Sequence, residues 1–301
     1  MSPELRQLRY FTAVAEELSF TRAAARLNIA QQSLSQQINA LERALGAKLL
    51  DRDNRGTRLS EIGRVFLPEA QAVLDRADRA VETVGRAVRG EVGRLDLAFL
   101  SSAANFLLPP VVRAVRQRFP DIELTTDAVS IGELVTGLRE GRYDAAFSRP
   151  PLVDDLAEQP LITERVCVVL PEDHHLADRT ELRLADLAGE PWVLTPRSSW
   201  PPWHRKYDQD FANAGFEPNV VQRAASVQNL LGLVAAGVGI TRLAQSAHSL
   251  RRTGVVFVPL AGESASTVAV WRPDAEKPAL RSLLAVVTEL AADGTDLTQA
   301  G

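Results

Sequence analysis

Residues 21–46 read TRAAARLNIAQQSLSQQINALERALG, and their spacing sets two short helices around a tight break. In the first half Ala24, Ala25 and Leu27 form a small apolar helix opened by Thr21, whose hydroxyl can accept a first-turn amide. Asn28 and Ile29 turn the chain. In the second half Leu34, Ile38, Leu41 and Leu45 fall at i, i+4, i+7 and i+11, one apolar stripe on a helix that stops at Gly46. The opposite face carries Gln31, Gln32, Ser33, Ser35, Gln36, Gln37 and Asn39, where a merely solvated helix would normally carry Glu and Lys. Uncharged hydrogen-bonding groups of this kind can read bases. Gln pairs both polar edges of adenine in the major groove, and Ser near a helix start can hold a phosphate beside the free amides there. A polar surface helix is the competing reading.

Upstream, Ser2-Pro3-Glu4 has the form of a helix opening, and Leu5, Leu8, Phe11, Ala15 and Leu18 line one face of the helix that follows. The three helices make a unit whose second and third members stand in helix-turn-helix relation. Downstream, AKLLDRDNRGTRLS gives two short strands around Asn54-Arg55-Gly56, a β-wing. Arg52, Arg55 and Arg58 cluster there, where guanidinium groups can grip phosphates flanking the groove. From Ser60 a long helix runs to about Arg89. Its apolar positions Ile62, Phe66, Ala70, Val73, Ala77, Ala80, Val84 and Val88 are spaced close to a heptad seam. Phe66, Val73, Ala77 and Val84 are therefore expected to meet a second copy; packing on the chain's own core is the alternative.

QLRYFTAVAEELSFTRAAARL, LSQQINALERALGAKLLDR and RLSEIG together resemble the DNA-binding and linker region of LysR-type transcriptional regulators, over residues 1–90, and the likeness continues along nearly the whole chain. The resemblance implies a DNA role for Thr21, Arg22, Gln31, Gln32, Ser33, Ser35 and Gln36 together with the three wing arginines. Two positions depart from the family pattern: Ala30 and Gln32 stand where Ser, as helix cap, and Pro are usual. Loss of a side-chain cap costs about 1 kcal/mol of helix stability. Gln32 gains the opportunity to add a base contact of its own.

The 301-residue length suits about two domains. No apolar run reaches spanning length, and charges occupy the N-terminus where a signal peptide needs an apolar stretch, so a cytoplasmic protein is expected, with no membrane partner. The lone Cys167, inside RVCVVL, reads as a buried core residue. Net charge is −4, but residues 1–60 hold nine Arg or Lys against six acids, a +3 head on a −7 body. That asymmetry fits one domain touching DNA while the rest stays off it.

From Arg94 strands alternate with helices: RLDLAFL, LLPPVVRAVRQRF, IELTTDA, IGELVTGLREG, YDAAFS, and a similar set from LITERVCVVLP onward. The alternation predicts a parallel sheet with crossover helices. The family resemblance implies two lobes like those of a periplasmic binding protein, with crossings near Leu161–Thr163 and Ser264–Thr267. The expected fold is thus α/β: a winged helix-turn-helix over 1–59, a linker helix over 60–91, and an effector domain over 92–295. Its first lobe would comprise 92–162 and 266–295 and its second 163–265, leaving a loose tail at 296–301.

Ligands of open α/β sheets sit beyond the carboxyl ends of strands. Those ends carry Ser101-Ser102, Ser130, Ser148-Arg149-Pro150-Pro151, and Thr195-Pro196-Arg197-Ser198-Ser199-Trp200-Pro201-Pro202-Trp203-His204. Ser101, Ser102, Ser130, Arg149, Arg197, Ser199 and Trp203 are the candidate effector contacts. Arg can pair a carboxylate and Trp can cover a flat apolar face, which suits a small acid with an aromatic or apolar body. RYDAAFSR, the Ser-Ser after Arg197 and VQNLLGLVAAGVGI resemble the family branch sensing aromatic-degradation acids such as benzoate or muconate; Arg197 and Trp200 are departures from it. For Arg149 and Arg197 a salt-bridge role competes, for the tryptophans a loop wedge, and His204 reads as a helix-start residue.

The sequence therefore points to a transcriptional regulator that binds an operator in double-stranded DNA as a homodimer or homotetramer and responds to a small-molecule effector, with RNA polymerase as a further candidate partner. No cofactor or metal is expected. A cytosolic small-molecule-binding protein using its N-terminal helices only for assembly is the alternative. An enzyme is disfavoured, because no nucleophile elbow, phosphate-cradling glycine loop or metal spacing stands out.

Overall fold

A computed structural model describes residues 3–53, 56–151 and 153–292, and the chain divides into two units, Met1–Arg86 and Ala87–Gly301. In the first unit α1 (Leu5–Glu17), α2 (Phe20–Arg26) and α3 (Gln31–Leu45) pack around Phe11, Val14, Phe20, Leu34, Ile38 and Leu41. The apolar stripe of α3 is the buried face, and Gly46 closes the helix in the left-handed conformation at φ 69°. Asn28 turns the chain between α2 and α3 with φ 54°, a conformation its short polar side chain tolerates. Two helix starts differ from the sequence reading. Ser19, rather than Thr21, caps α2, because Phe20 must enter the core and so belongs to the first turn. Glu4 caps α1 through a reciprocal pair with Gln7, and Ser2 lies outside the described residues.

The wing strands β1 (Leu50–Asp53) and β2 (Gly56–Leu59) pair antiparallel, and α4 (Glu61–Val88) follows with Ser60 accepting the Gly63 amide at 2.9 Å. Gly63 is required by close approach: a Cβ there would lie 2.0 Å from the Leu49 carbonyl oxygen. Glu42 anchors the wing to α3. Its carboxylate, 5% exposed, accepts the Leu49 and Leu50 amides at 2.9 and 3.2 Å and pairs with Lys48 at 2.7 Å. Burial pushes this carboxyl up, but Lys48 and the two amides outweigh burial and hold it below its ordinary 4.5. A depressed acid stabilises the fold above its unfolded value and loses that contribution as pH falls through the folded one. Glu42→Ala is expected to destabilise the N-terminal unit by about 3 kcal/mol at neutral pH. In thermal melts across a pH series the gap to wild type should narrow below 4.5; a constant gap would show that ionised Glu42 is not what holds the wing.

The second unit contains β3 (Val92–Leu100), α5 (Ser101–Arg118), β4 (Asp121–Val129), α6 (Ile131–Arg139), β5 (Ala145–Ser148) and β6 (Ala157–Pro171). Then come β7 (Pro191–Leu194), α7 (Pro201–Asn213), β8 (Asn219–Arg223), α8 (Val227–Ala235), β9 (Thr241–Ala244), β10 (Val255–Trp271) and α9 (Pro278–Ala292). Six strands form one sheet in the order β4-β3-β5-β10-β6-β9, and β7 pairs parallel with β8. The sheet is mixed, not parallel throughout. β3 runs parallel to β4 and β5, whereas β10 is antiparallel to β5 and β6, and β6 to β9. β6 and β10 are each longer than two ordinary strands' worth of apolar pattern suggests, because one end of each pairs within either half of the sheet. VVFVPL and STVAVW, two apolar runs parted by AGESA, belong to one strand with register shifts at Pro259/Ser264 and Thr267/Val268. Cys167 is buried on β6, and burial pushes its thiol up to about 11. No helix among the described residues is long and apolar enough to cross a membrane.

Candidate DNA-binding surface and ligand cleft

Gln31, Gln32, Ser33, Gln36 and Asn39 are exposed on the outer face of α3, with Thr21 and Arg22 exposed beside its start. Ala30 supplies no side-chain cap. Instead the Thr21 hydroxyl donates to Gln31 Oε1 at 3.2 Å, tying α2 to the first residue of α3 and fixing the Gln31 amide. Arg22 is turned toward Glu17 through its side-chain carboxylate and carbonyl, so it locks α2 to α1. Arg52 also has a local task. Its guanidinium lies 3.8 Å from the centroid of the Phe20 ring and donates to Ser35 Oγ at 2.9 Å, stacking the wing onto α2 and tying it to α3. Arg58 is exposed on β2, and Arg55 lies outside the described residues.

The four residues expected on a pairing seam divide. Phe66 packs on Phe11 with ring centroids 5.4 Å apart, so it serves its own unit's core, as does buried Ala70. Farther along α4, Val73 and Val84 are exposed and Ala77 is half-buried, and Val81, absent from the sequence-based seam, is 74% exposed. Val81 was missed because Ala80 fits the same spacing equally well.

In the second unit the strand ends enclose a cavity of about 390 Å³. Ser101, Ser102, Ser130, Arg149, Ser199 and Trp203 all line it. α5 starts at Ser101 itself, six residues before the run LLPPVVRAVRQRF begins, so both serines stand in its first turn, and no side chain caps it. Ser130 caps α6 and exchanges hydrogen bonds with Glu133; Ser226 caps α8, accepting the Asn229 amide at 3.2 Å. Three helix N-termini with their positive ends thus border one cavity.

Arg149 is nearly buried and already engaged. It donates to Thr267 Oγ1 at 2.9 Å, to the Ser266 carbonyl at 3.2 Å, and to Glu164 Oε1 at 3.2 Å. Glu164, 5% exposed, also accepts the Ser246 amide and hydroxyl. On the sequence Glu164 sits in the polar step Thr163-Glu164-Arg165 of the strand LITERVCVVL, with nothing to mark its partner fifteen residues away. Arg242 and Tyr207 also line the cavity and were missed. Arg242 is buried 4.8 Å over the Tyr207 ring and pairs with Asp210 and Glu263. Arg197, in contrast, does not line the cavity; its guanidinium makes a two-point exposed pair with Asp208 at 2.6 and 2.8 Å, because α7 brings that acid around to it. His204 is buried at the cavity wall, with Nε2 2.8 Å from the Pro196 carbonyl. Burial lowers its pKa, so it is a neutral hydrogen-bond donor to the loop. His174, His175 and Glu190 gather their polar atoms within 4.8 Å, but His174 Nδ1 accepts the Leu176 amide, which leaves Nε2 protonated toward Glu190.

A helix-turn-helix with a wing, joined to an α/β domain enclosing a small-molecule cavity, defines a DNA-binding transcriptional regulator with an effector-binding domain. Residues 5–64 match the family described as bacterial regulatory helix-turn-helix protein, lysR family, and residues 89–292 the LysR substrate binding domain. The chain belongs to the LysR family. It is 35% identical over 284 residues to the HTH-type transcriptional regulator AlsR of Bacillus subtilis, covering 93% of this chain and 94% of that protein. With the HTH-type transcriptional regulator BenM of Acinetobacter baylyi it shares 35% over 267 residues, 88% of each chain. The full-length CbnR structure complexed with target DNA superimposes with a TM-score of 0.80 at 27% identity, over 96% of this chain and 99% of that one. Like AlsR and BenM, the chain is a regulator and not an enzyme.

Proposed function

We propose that the effector is a small carboxylic acid with an aromatic or otherwise apolar body, and that it changes operator binding by shifting the geometry of paired subunits. The observation that carries the reading is the convergence of Arg149 and the α5, α6 and α8 N-termini on a cavity walled by Trp200, Trp203 and Tyr207. Positive helix ends and hydroxyls suit a carboxylate, and the rings suit a flat apolar body. We assign the lobes as 92–162 with 266–295 and 163–265, on either side of this cavity. A ligand that prefers one lobe arrangement shifts the population toward it. Thermal shifts with benzoate, muconate and the neutral isostere benzamide test the class. Stabilisation by an acid and not by benzamide is expected; equal shifts, or none with any carboxylate, would overturn it.

On the DNA side, Gln31 is proposed to read a base and Gln32, Ser33 and Gln36 to line the same groove, while Arg52, Arg55 and Arg58 serve the phosphates. Gln31→Ala is then expected to relax preference at one base pair per half-site by about 1–3 kcal/mol. Arg52→Ala should weaken binding to all sequences, both by losing charge and by freeing the wing from Ser35 and Phe20. Band shifts over a panel of single-base operator variants separate the two, and equal loss on every DNA would remove Gln31 from base reading.

A further inference from the structure

Trp200 and Trp203 stand three residues apart around Pro201-Pro202. The prolines open α7 at positions whose amides need no partner, and a residue before proline is pushed to extended backbone, as Trp200 is at φ −165°, ψ 96°. One result of this start is that both indoles face the same neighbour. Trp203 Nε1 donates to the Pro150 carbonyl at 3.1 Å and Trp200 Nε1 to the Pro151 carbonyl at 2.7 Å. These two consecutive carbonyls follow β5 and come from the opposite wall of the cavity. Both rings pack against the cluster that includes Ile131, Leu134 and Leu156, and both line the cavity. The backbone is close as well: a Cβ on Gly132, in the first turn of α6, would lie 3.5 Å from the Ser199 carbonyl oxygen. At the other side of the cavity the walls are joined covalently by β6 and β10 and pinned by Arg149 to Ser266 and Glu164.

We propose that the paired indoles are a latch that holds the cleft shut in the ligand-free protein and must release before a small molecule enters or leaves. Each neutral hydrogen bond shifts the closed-to-open equilibrium roughly fivefold, so the pair contributes roughly twenty-five-fold before ring burial is added. If the cavity is the effector site, as proposed above, the latch also lowers apparent effector affinity by the fraction of molecules that are open. The closing mechanism itself needs no effector and is tested without one.

Hydrogen–deuterium exchange of the full chain, ligand-free, compares wild type with Trp203→Phe and with Trp200→Phe/Trp203→Phe, which keep the rings and remove the N–H donors. The opening amides of α5 and α6, at 101–103 and 131–132, precede the first intrahelical backbone bond, whereas the Glu133 and Leu134 amides are taken by Ser130, so exchange at those opening positions reports solvent access to the cleft. About fivefold faster exchange at 101–103 and 131–132 is expected in the single variant, and on the order of twenty-five-fold in the double, with the Trp192–Leu194 segment behind the cleft unchanged. Unchanged exchange at both helix starts would overturn the latch. Equally accelerated exchange at 192–194 would also overturn it, since the indoles would then merely stabilise their own half. Because no effector is present, a failed latch and a failed effector assignment give separate results.

Discussion

Arg149→Ala is expected to abolish the response to an acidic effector and to lower the melting temperature of the effector domain, and the two effects should be separable. The destabilisation follows from Glu164. Its carboxylate is almost fully enclosed, and without the guanidinium it keeps, among the described residues, the Ser246 amide and hydroxyl. Removing one partner of a buried ion pair costs about 3–5 kcal/mol, chiefly because the remaining charge is uncompensated. Glu164→Gln in the same chain removes that charge, so Arg149→Ala/Glu164→Gln should recover most of the stability. It should not recover the response, since a ligand carboxylate would still lack its cation. Arg149→Lys should keep partial response, retaining charge but losing the fork that spans Thr267, Ser266 and Glu164. Melting curves with and without benzoate, followed by operator band shifts, measure both quantities. A double variant that still responds would move the anion site away from Arg149.

Local periodicity made the N-terminal unit legible. The stripe from Leu34 to Leu45 is the buried face of α3, and the polar face is the exposed one, because a helix needs only its own spacing to declare its sides. Partners distant in sequence were not legible. Phe66 fits a heptad seam and equally fits a core, and only the position of Phe11 decides between them. The strand directions of β6 and β10 depend on pairing across about a hundred residues, which alternation cannot reveal. At the cleft, strand-end logic placed Ser101, Ser102, Ser130, Arg149, Ser199 and Trp203 together, since the carboxyl end of a strand is fixed by where its apolar run stops. It misassigned Arg197 because a surface acid on the following helix, Asp208, competes for the same guanidinium. It missed Glu164 and Arg242 because charges on strands look like ordinary outward positions until the neighbours covering them are known.

Val81→Glu/Val84→Glu is expected to turn the protein into a monomer that keeps its fold but loses most of its operator affinity. We take the second half of α4 as the pairing surface. Its first half is spent on its own unit, where Ala70 is buried, Phe66 meets Phe11 and Leu74 packs on the same core, and beyond Leu74 the valines Val81, Val84 and Val88 are exposed. Ala77, Val81, Val84 and Val88 are spaced 4, 3 and 4, the repeat of a two-helix seam. Val81, Val84 and Val88 are 74%, 64% and 66% exposed, a row of β-branched residues that water solvates poorly. Acids at two adjacent layers place four like charges in one seam, while an exposed face tolerates them in the monomer, so thermal stability of each unit should change little. A single wing and recognition helix makes too few contacts for selective binding, and a paired operator is read by two at once. Loss of the partner should therefore lower specific affinity by about 10³-fold or more, toward the non-specific level. Sedimentation velocity gives the oligomeric state, and band shifts on full and half operators give the affinities. Val73→Glu should act in the same direction. A double-glutamate protein that stays dimeric would place the pairing surface off α4, and a monomer with undiminished preference for the full operator would detach pairing from DNA reading.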